Sequence, residues 1–213
     1  NLSADMVAKP FSIAPDIWYG VSPKLTVGLV HSGYGATGFY GGAGKGLCLA
    51  GEDNGCAEVY DNVGVEAKFL VLGDGPLSLA ANGGIHVLSL SDPMFLDLKV
   101  GVIGNYNMNK LNIGFAPNIF IGLTERDFNK EALAVPVYVM FQANPKLGAG
   151  VQTGISGPLD GFGDFYRIPV TIFAKYAVNP KICAGLAFSF DNLAGKDGSA
   201  DYRSLNLMVG YAM

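Results

Sequence analysis

The two histidines are the first candidates for catalysis, because imidazole can act as a general base near neutral pH. His31 directly precedes Ser32, but neighbouring residues in a strand point to opposite faces, so they cannot form a nucleophile–base pair directly. His86 has no obvious catalytic partner in the sequence. We therefore predict that the chain is not an enzyme and that His86 is a polar residue on an inner strand face.

Acidic residues cluster in two loop segments where they could bind Ca²⁺. These segments contain Glu52-Asp53-Asn54 and the pair Asp160 and Asp164. Neither has the ligand spacing of a dedicated calcium-binding loop. Both are interpreted as solvated turns, and we predict no metal site and no cofactor.

The cysteines indicate an oxidising compartment. Cys48 and Cys56 lie eight residues apart in a glycine-rich polar segment, which favours a disulfide that closes the loop. The alternative is a pair of free thiols in a cytosolic loop. Cys183 is left over, and we expect it to pack as a compact apolar residue on the small-residue face of its strand.

Charged and apolar side chains alternate along residues 165–191, which predicts a β-hairpin around Asn179-Pro180-Lys181. Arg167 and Lys175 share one face of the first strand, whereas Tyr166 and Tyr176 lie on its apolar face. Aromatic residues ten positions apart that bracket an apolar face are typical of a strand that crosses a bilayer. Alternation alone also fits a soluble barrel.

The composition favours the membrane environment. Half of the 213 residues are hydrophobic and 15% are charged. No apolar run approaches the roughly 18 residues of a membrane-spanning helix, which excludes a helical membrane protein. In a barrel with an apolar exterior, every second residue of a strand is apolar instead, so no long apolar run is needed. The net charge of -4 argues against a nucleic-acid partner, since no basic stripe is present.

Similar turns recur along the chain and indicate an internal hairpin repeat. Turn centres at Asp74, Asn109, Pro145 and Pro180 are spaced by 35, 36 and 35 residues. Eleven strands are well marked, and residues 1–9 can supply a twelfth. The sequence therefore predicts a single all-β domain over residues 1–213. We expect a transmembrane antiparallel up-and-down β-barrel of twelve strands, with ten as the alternative.

These hairpins resemble those of Gram-negative outer-membrane β-barrel proteins, in particular the small porin- or transporter-like barrels with short Pro/Asn turns. The resemblance implies a bacterial outer-membrane location, with the tight turns in the periplasm. It implies external loops at residues 33–57, 124–131, 157–164 and 191–200. Tyr211 and Met213 match the apolar register of the family's last strand, although that strand usually ends in an aromatic residue.

Within such a barrel the polar strand faces would line the lumen and the tyrosines would mark the membrane interfaces. The predicted lumen residues are Glu66, Lys68, His86, Asp97, Lys99, Gln152, Arg167, Lys175 and Asn206. The predicted interface aromatics are Tyr106, Tyr166, Tyr176 and Tyr211. The charges either line an aqueous pore or form a salt-bridged plug, since a barrel of this size allows both.

The main functional prediction is a small channel or transporter for polar or amphipathic solutes. One alternative is a non-catalytic structural barrel that binds envelope proteins through its external loops. The other is a soluble, lipocalin-like binder with an apolar interior. The expected partners are the lipid bilayer and either a small solute or envelope proteins.

Overall fold

The computed structural model describes residues 2–8, 11–31, 47–48, 60, 62–90 and 92–212. Nearly all of its regular structure is β-strand, because alternating apolar and polar residues run between tight turns. The strands are β1 (Leu2–Ala8), β2 (Phe11–Gly20), β3 (Leu25–Val30), β4 (Leu47–Cys48), β5 (Val63–Leu72), β6 (Leu77–Ser89), β7 (Phe95–Met108), β8 (Leu111–Phe115), β9 (Asn118–Gly122), β10 (Ala132–Gln142), β11 (Leu147–Pro158), β12 (Val170–Ala177), β13 (Ile182–Asn192) and β14 (Ser199–Tyr211). A four-residue helix, α1, covers Phe162–Phe165.

The sheet closes on itself through its first and last strands. β1 pairs antiparallel with both β2 and β14, and Leu2 lies opposite Ile17 on one side and Tyr211 on the other. β8 and β9 together fill one position between β7 and β10, and β4 pairs with β2 beyond the end of the β2–β3 ladder. The described residues therefore form a wall of twelve strand positions, which confirms the up-and-down barrel.

One predicted strand, residues 111–123, is interrupted at Ala116 and Pro117. Proline has no N–H to donate to a ladder. The pairing nevertheless continues across the interruption. Ala116 N donates to Pro136 O at 3.0 Å, and Pro117 O accepts a hydrogen bond from Val102 N at 3.0 Å.

The hairpin strand predicted to begin near Tyr166 begins instead at Val170. The chain forms α1 after Gly161, whose positive φ of 70° starts the turn, and Pro169 limits pairing just before the strand. Arg167 is held by a bridge with Ser156, in which each backbone N–H donates to the other residue's carbonyl oxygen.

The outer surface is apolar and the interior is polar, the reverse of a soluble barrel. Exposed outward residues from successive strands include Val65, Phe69, Ile85, Val100, Ile119, Val139, Val151, Ile172, Leu186 and Leu207. Buried inward residues include Glu66, Asn82, His86, Asp97, Asn118, Gln152, Thr171, Ser189 and Asn206. This distribution is that of a transmembrane barrel, and it contradicts a soluble binder with an apolar interior.

None of the helical residues that the structure describes belongs to a helix long and apolar enough to cross a membrane.

The barrel has two unlike ends. Tight turns at residues 21–24, 73–76, 109–110, 143–146 and 178–181 form one end, which we call the turn edge. Longer connections, including residues 123–131, 159–169 and 193–198, form the other, the loop edge. The turns are stiffened from within: Asn144 Oδ1 accepts hydrogen bonds from Lys146 N at 2.9 Å and Leu147 N at 3.0 Å. Asn179 and Ser22 do the same in their turns.

Candidate functional site

A buried ion-pair cluster lies on the inner wall where β5, β6 and β7 meet. Glu66 Oε1 is 2.9 Å from His86 Nε2 and 2.7 Å from Lys99 Nζ. In the register, Gly84 lies between Glu66 and Lys99. A side chain at Gly84 would collide with Glu66, so the glycine leaves the space through which the lysine reaches the carboxylate. We call Glu66, His86 and Lys99 the charge cluster.

A second lysine on the same wall lies over an aromatic ring. Lys68 Nζ is 3.4 Å from the centroid of the Trp18 ring, which is cation–π geometry. The ring lies flat against the wall because its partner in the register is Gly28, where a Cβ would overlap it. Trp18 is therefore part of the lumen surface, although we had not predicted it as a site residue.

The loop of residues 123–131 folds back onto the inner wall. Asn129 Nδ2 donates to Asp97 Oδ1 at 2.6 Å and to Leu96 O at 3.1 Å. At the start of the loop, Thr124 Oγ1 donates to Met94 O at 2.7 Å. Asn129 was also missed in the sequence, because nothing in its local pattern shows that a loop residue enters the barrel.

The opposite wall carries mostly neutral polar groups, with Lys175 as a charged residue on its inner face. Thr171 Oγ1 donates to Ser189 Oγ at 2.9 Å, and both residues are buried. Gln152 and Asn206 lie on the same wall and are also buried. The two halves of the lumen therefore differ: one holds the Glu66–Lys99 ion pair, and the other holds mainly amides and hydroxyls beside Lys175.

A cavity of about 940 Å³ opens at the loop edge, and we call it the vestibule. Its lining mixes charges of both signs, among them Lys130, Arg167 and Asp191, and it extends down to Asp97. Ser156 also lines the vestibule; its Oγ is buried and has no hydrogen-bond partner among the described residues. The vestibule can therefore bind polar groups of a solute.

One exposed ion pair borders the vestibule. Lys130 Nζ lies 2.9 Å from Asp160 Oδ2. The hydrogen bond between them lowers the pKa of the Asp160 carboxyl and raises the pKa of the Lys130 ammonium. Both groups are therefore charged at neutral pH.

The predicted lumen residues divide between three places. The inner wall formed by β5, β6 and β7 carries Glu66, Lys68, His86, Asp97 and Lys99. The inner face of the opposite wall carries Gln152, Lys175 and Asn206. Arg167 lies outside the regular strands and lines the vestibule. Whether these residues line an open pore stays a prediction.

Three of the predicted interface aromatics, Tyr106, Tyr176 and Tyr211, are exposed near the turn edge. Tyr166 is placed differently. It follows α1 at the loop edge and stacks on Phe162, with ring centroids 6.3 Å apart and an interplanar angle of 22°. It therefore does not lie on the membrane-facing strand on which its spacing from Tyr176 had placed it.

The predicted disulfide stays a prediction, because Cys56 lies outside the described residues and no side-chain position is described for Cys48. Cys183 is a free cysteine and is exposed, which corrects the expectation that it packs. It is the second residue of β13, near the turn edge, and its partner in the register is Gly210, which has no side chain to cover it.

The ring and the backbone of His31 are held in place by neighbouring residues. Its Nε2 lies 2.7 Å from Tyr60 Oη, its Nδ1 contacts Pro15 O, and its backbone N–H donates to Asp16 Oδ1 at 2.7 Å. Ser32 lies outside the described residues. Among the described residues, no three His, Cys, Asp or Glu side chains are grouped so as to hold a metal ion.

No protein-family model matches this sequence, and no curated protein matches it. Solved structures do match the fold. The NanC porin structure is 10% identical in sequence with a TM-score of 0.67, and the match covers 100% of this chain and 98% of that one. The KdgM porin in complex with disordered oligogalacturonate is 8% identical with a TM-score of 0.67, at 100% and 98% coverage. A further KdgM porin structure gives 9% identity and a TM-score of 0.64. The chain therefore shares the β-barrel fold of these porins along its whole length.

Proposed function

We propose that this protein is a bacterial outer-membrane channel for small polar or amphipathic solutes. The observation that carries the proposal is the vestibule of about 940 Å³, which opens at the loop edge of a closed barrel and is lined by charges of both signs. The apolar exterior and the fold shared with porins support the membrane location. We further propose that the barrel transports without catalysing a reaction.

The inner charges favour weak ion selectivity. Lys99 is paired with Glu66, and Lys68 lies on Trp18, so neither lysine presents an isolated positive charge to the lumen. Paired charges give a strong local field that falls off quickly with distance. A polar solute can replace its hydrogen bonds to water with hydrogen bonds to these groups and to the amides and hydroxyls of the opposite wall.

The contact between Lys99 and Glu66 affects which solutes the lumen can bind. One KdgM porin structure contains oligogalacturonate, a chain with a carboxylate on each sugar. In the present barrel the Lys99 ammonium already contacts a carboxylate, that of Glu66. We therefore favour uncharged or zwitterionic solutes over polyanions.

Conductance across planar bilayers tests the proposal. Purified barrel is expected to give discrete conductance steps whose reversal potential in a salt gradient lies near zero, because the lumen carries charges of both signs and Glu66 is paired with Lys99. Efflux of an uncharged sugar from liposomes is the second readout. Barrel that inserts but neither conducts nor releases trapped sugar would refute the channel.

A barrel without a conducting lumen is the second candidate, because side chains in the middle of the lumen are closely packed. Thr171 and Ser189 are 0% exposed and Asn206 is 2% exposed. In that case the external loops would bind an envelope protein. Inserted, non-conducting barrel that co-purifies with a single envelope protein would favour this function over transport.

A further inference from the structure

The turn edge carries a ring of lysines. Lys24, Lys110, Lys146 and Lys181 occupy four of its five tight turns, and all four are exposed. Asp74, in the remaining turn, is the one acidic residue there. Among the described residues none of the four lysines forms an ion pair. Their positive charge is therefore available to a partner outside the barrel.

The loop edge has the opposite balance. Acidic residues outnumber basic ones in its described connections, which contain Asp92, Glu125, Asp127, Glu131, Asp160, Asp164 and Asp197 against Arg126, Lys130, Arg167 and Lys196. The chain as a whole has a net charge of -4. The four turn-edge lysines thus give one end of an acidic protein an excess of positive charge, whereas the loop edge has an excess of negative charge.

A complete aromatic belt lies directly beside the lysines. Every strand that runs toward the turn edge carries an exposed aromatic residue within three positions of its end. These residues are Tyr19, Phe69, Tyr106, Phe141, Tyr176 and Tyr211. Aromatic side chains of this kind mark the headgroup level of a bilayer. The lysines lie just beyond that level, where the phosphates of the leaflet are.

Each lysine also immediately precedes the first residue of a strand, namely Leu25, Leu111, Leu147 or Ile182. A lysine at such a boundary can lay its alkyl stem along apolar surface and extend its ammonium to the headgroups. Successive turns are separated by two strand spacings, about 10 Å in all. Neighbouring lysines can therefore bind separate headgroups.

From the lysine ring and the aromatic belt together, we propose that the turn edge binds anionic phospholipid headgroups. Lysines near an anionic leaflet each strengthen binding about fivefold. The site anchors the turn edge in an anionic phospholipid leaflet. Headgroup binding at the turn edge does not depend on whether the lumen conducts.

The test compares two double variants with the same change in charge. Lys146→Gln/Lys181→Gln removes two lysines from the turn edge, whereas the control Lys130→Gln/Lys196→Gln removes two from the loop edge. Each protein, in neutral detergent, is titrated with phosphatidylglycerol or with phosphatidylcholine, and bound lipids are counted by native mass spectrometry. Far-UV circular dichroism establishes that each variant is folded.

Wild type and the loop-edge variant are expected to prefer phosphatidylglycerol, and the turn-edge variant to bind it about 25-fold more weakly. Phosphatidylcholine binding is expected to be equal in all three. Binding within twofold of wild type, or an equal loss in the loop-edge variant, would overturn the proposal. Salt provides a test on unmodified protein: the preference should disappear at 1 M salt, where the Debye length is about 3 Å, and a preference that persists there would also refute it.

Discussion

Replacing Glu66 tests whether the charge cluster stabilises the barrel. Glu66→Gln removes the carboxylate that lies 2.7 Å from Lys99 Nζ and 2.9 Å from His86 Nε2. The Lys99 ammonium would then contact a neutral amide in a buried site. Removing one partner of a buried ion pair costs about 3–5 kcal/mol, because the remaining charge is left uncompensated.

The Lys99 side chain keeps 12% exposure, so water can hydrate the freed ammonium in part. We therefore expect a loss at the low end of that range, about 3 kcal/mol, or roughly 150-fold in the unfolding equilibrium. Urea unfolding of barrel inserted in lipid bilayers, followed by tryptophan fluorescence, measures the change. Trp18 is the only tryptophan and lies on the same wall, which makes the signal specific.

Glu131→Gln is the matched control. Glu131 pairs with Arg126 at 2.6 Å, but the two side chains are 36% and 48% exposed. Solvent screens an exposed pair, so it contributes little to stability. If Glu66→Gln costs no more than Glu131→Gln, burial does not strengthen the Glu66 pairing and our reasoning is wrong.

A double-mutant cycle separates the pair from its surroundings. Glu66→Gln/Lys99→Met removes both charges of the pair, and replacing a buried ion pair with uncharged groups is often nearly neutral. The double variant is expected to recover most of the stability that Glu66→Gln loses. Additive losses in the double variant would show that the two charges are not coupled.

Four further predictions follow from other positions. Val100 is 51% exposed in the middle of β7, so Val100→Arg is expected to cost about 2–4 kcal/mol in bilayer unfolding, against a negligible change for Val100→Leu. Asn129→Ala removes the hydrogen bonds that hold its loop to the inner wall, and we expect faster tryptic cleavage within residues 123–131; an unchanged rate would contradict that restraint. The Lys130 ammonium lowers the pKa of the Asp160 carboxyl from its ordinary value of 3.8. The ion pair's contribution to folding stability is therefore complete above pH 3.8 and is lost as the pH falls through the lowered pKa. The difference in Tm between wild type and Asp160→Asn should therefore stay constant from pH 7 to 5 and shrink below pH ~4. Cys183 is exposed, so folded barrel should react with a water-soluble maleimide; protection until unfolding would contradict its placement.

The sequence by itself was sufficient for the architecture of the barrel. A period of two places each residue on one face or the other, and a tight turn reverses the chain, so both signals are local. The twelve strand positions, the apolar exterior and the placement of Glu66 and Lys99 on an inner face all follow from such local patterns. The same patterns located the turns that now form the turn edge.

Only the tertiary structure decided which inner residues meet. The contact between Glu66 and Lys99 depends on the register of three strands and on the space beside Gly84. Asn129 reaches Asp97 because a loop folds inward, and no strand pattern predicts the path of a loop. Arg167 lines the vestibule because the chain forms α1 where continued alternation had suggested a strand. Alternation assigns a residue to a face, but contacts across a lumen depend on register, on loop conformation and on the closure of the whole sheet.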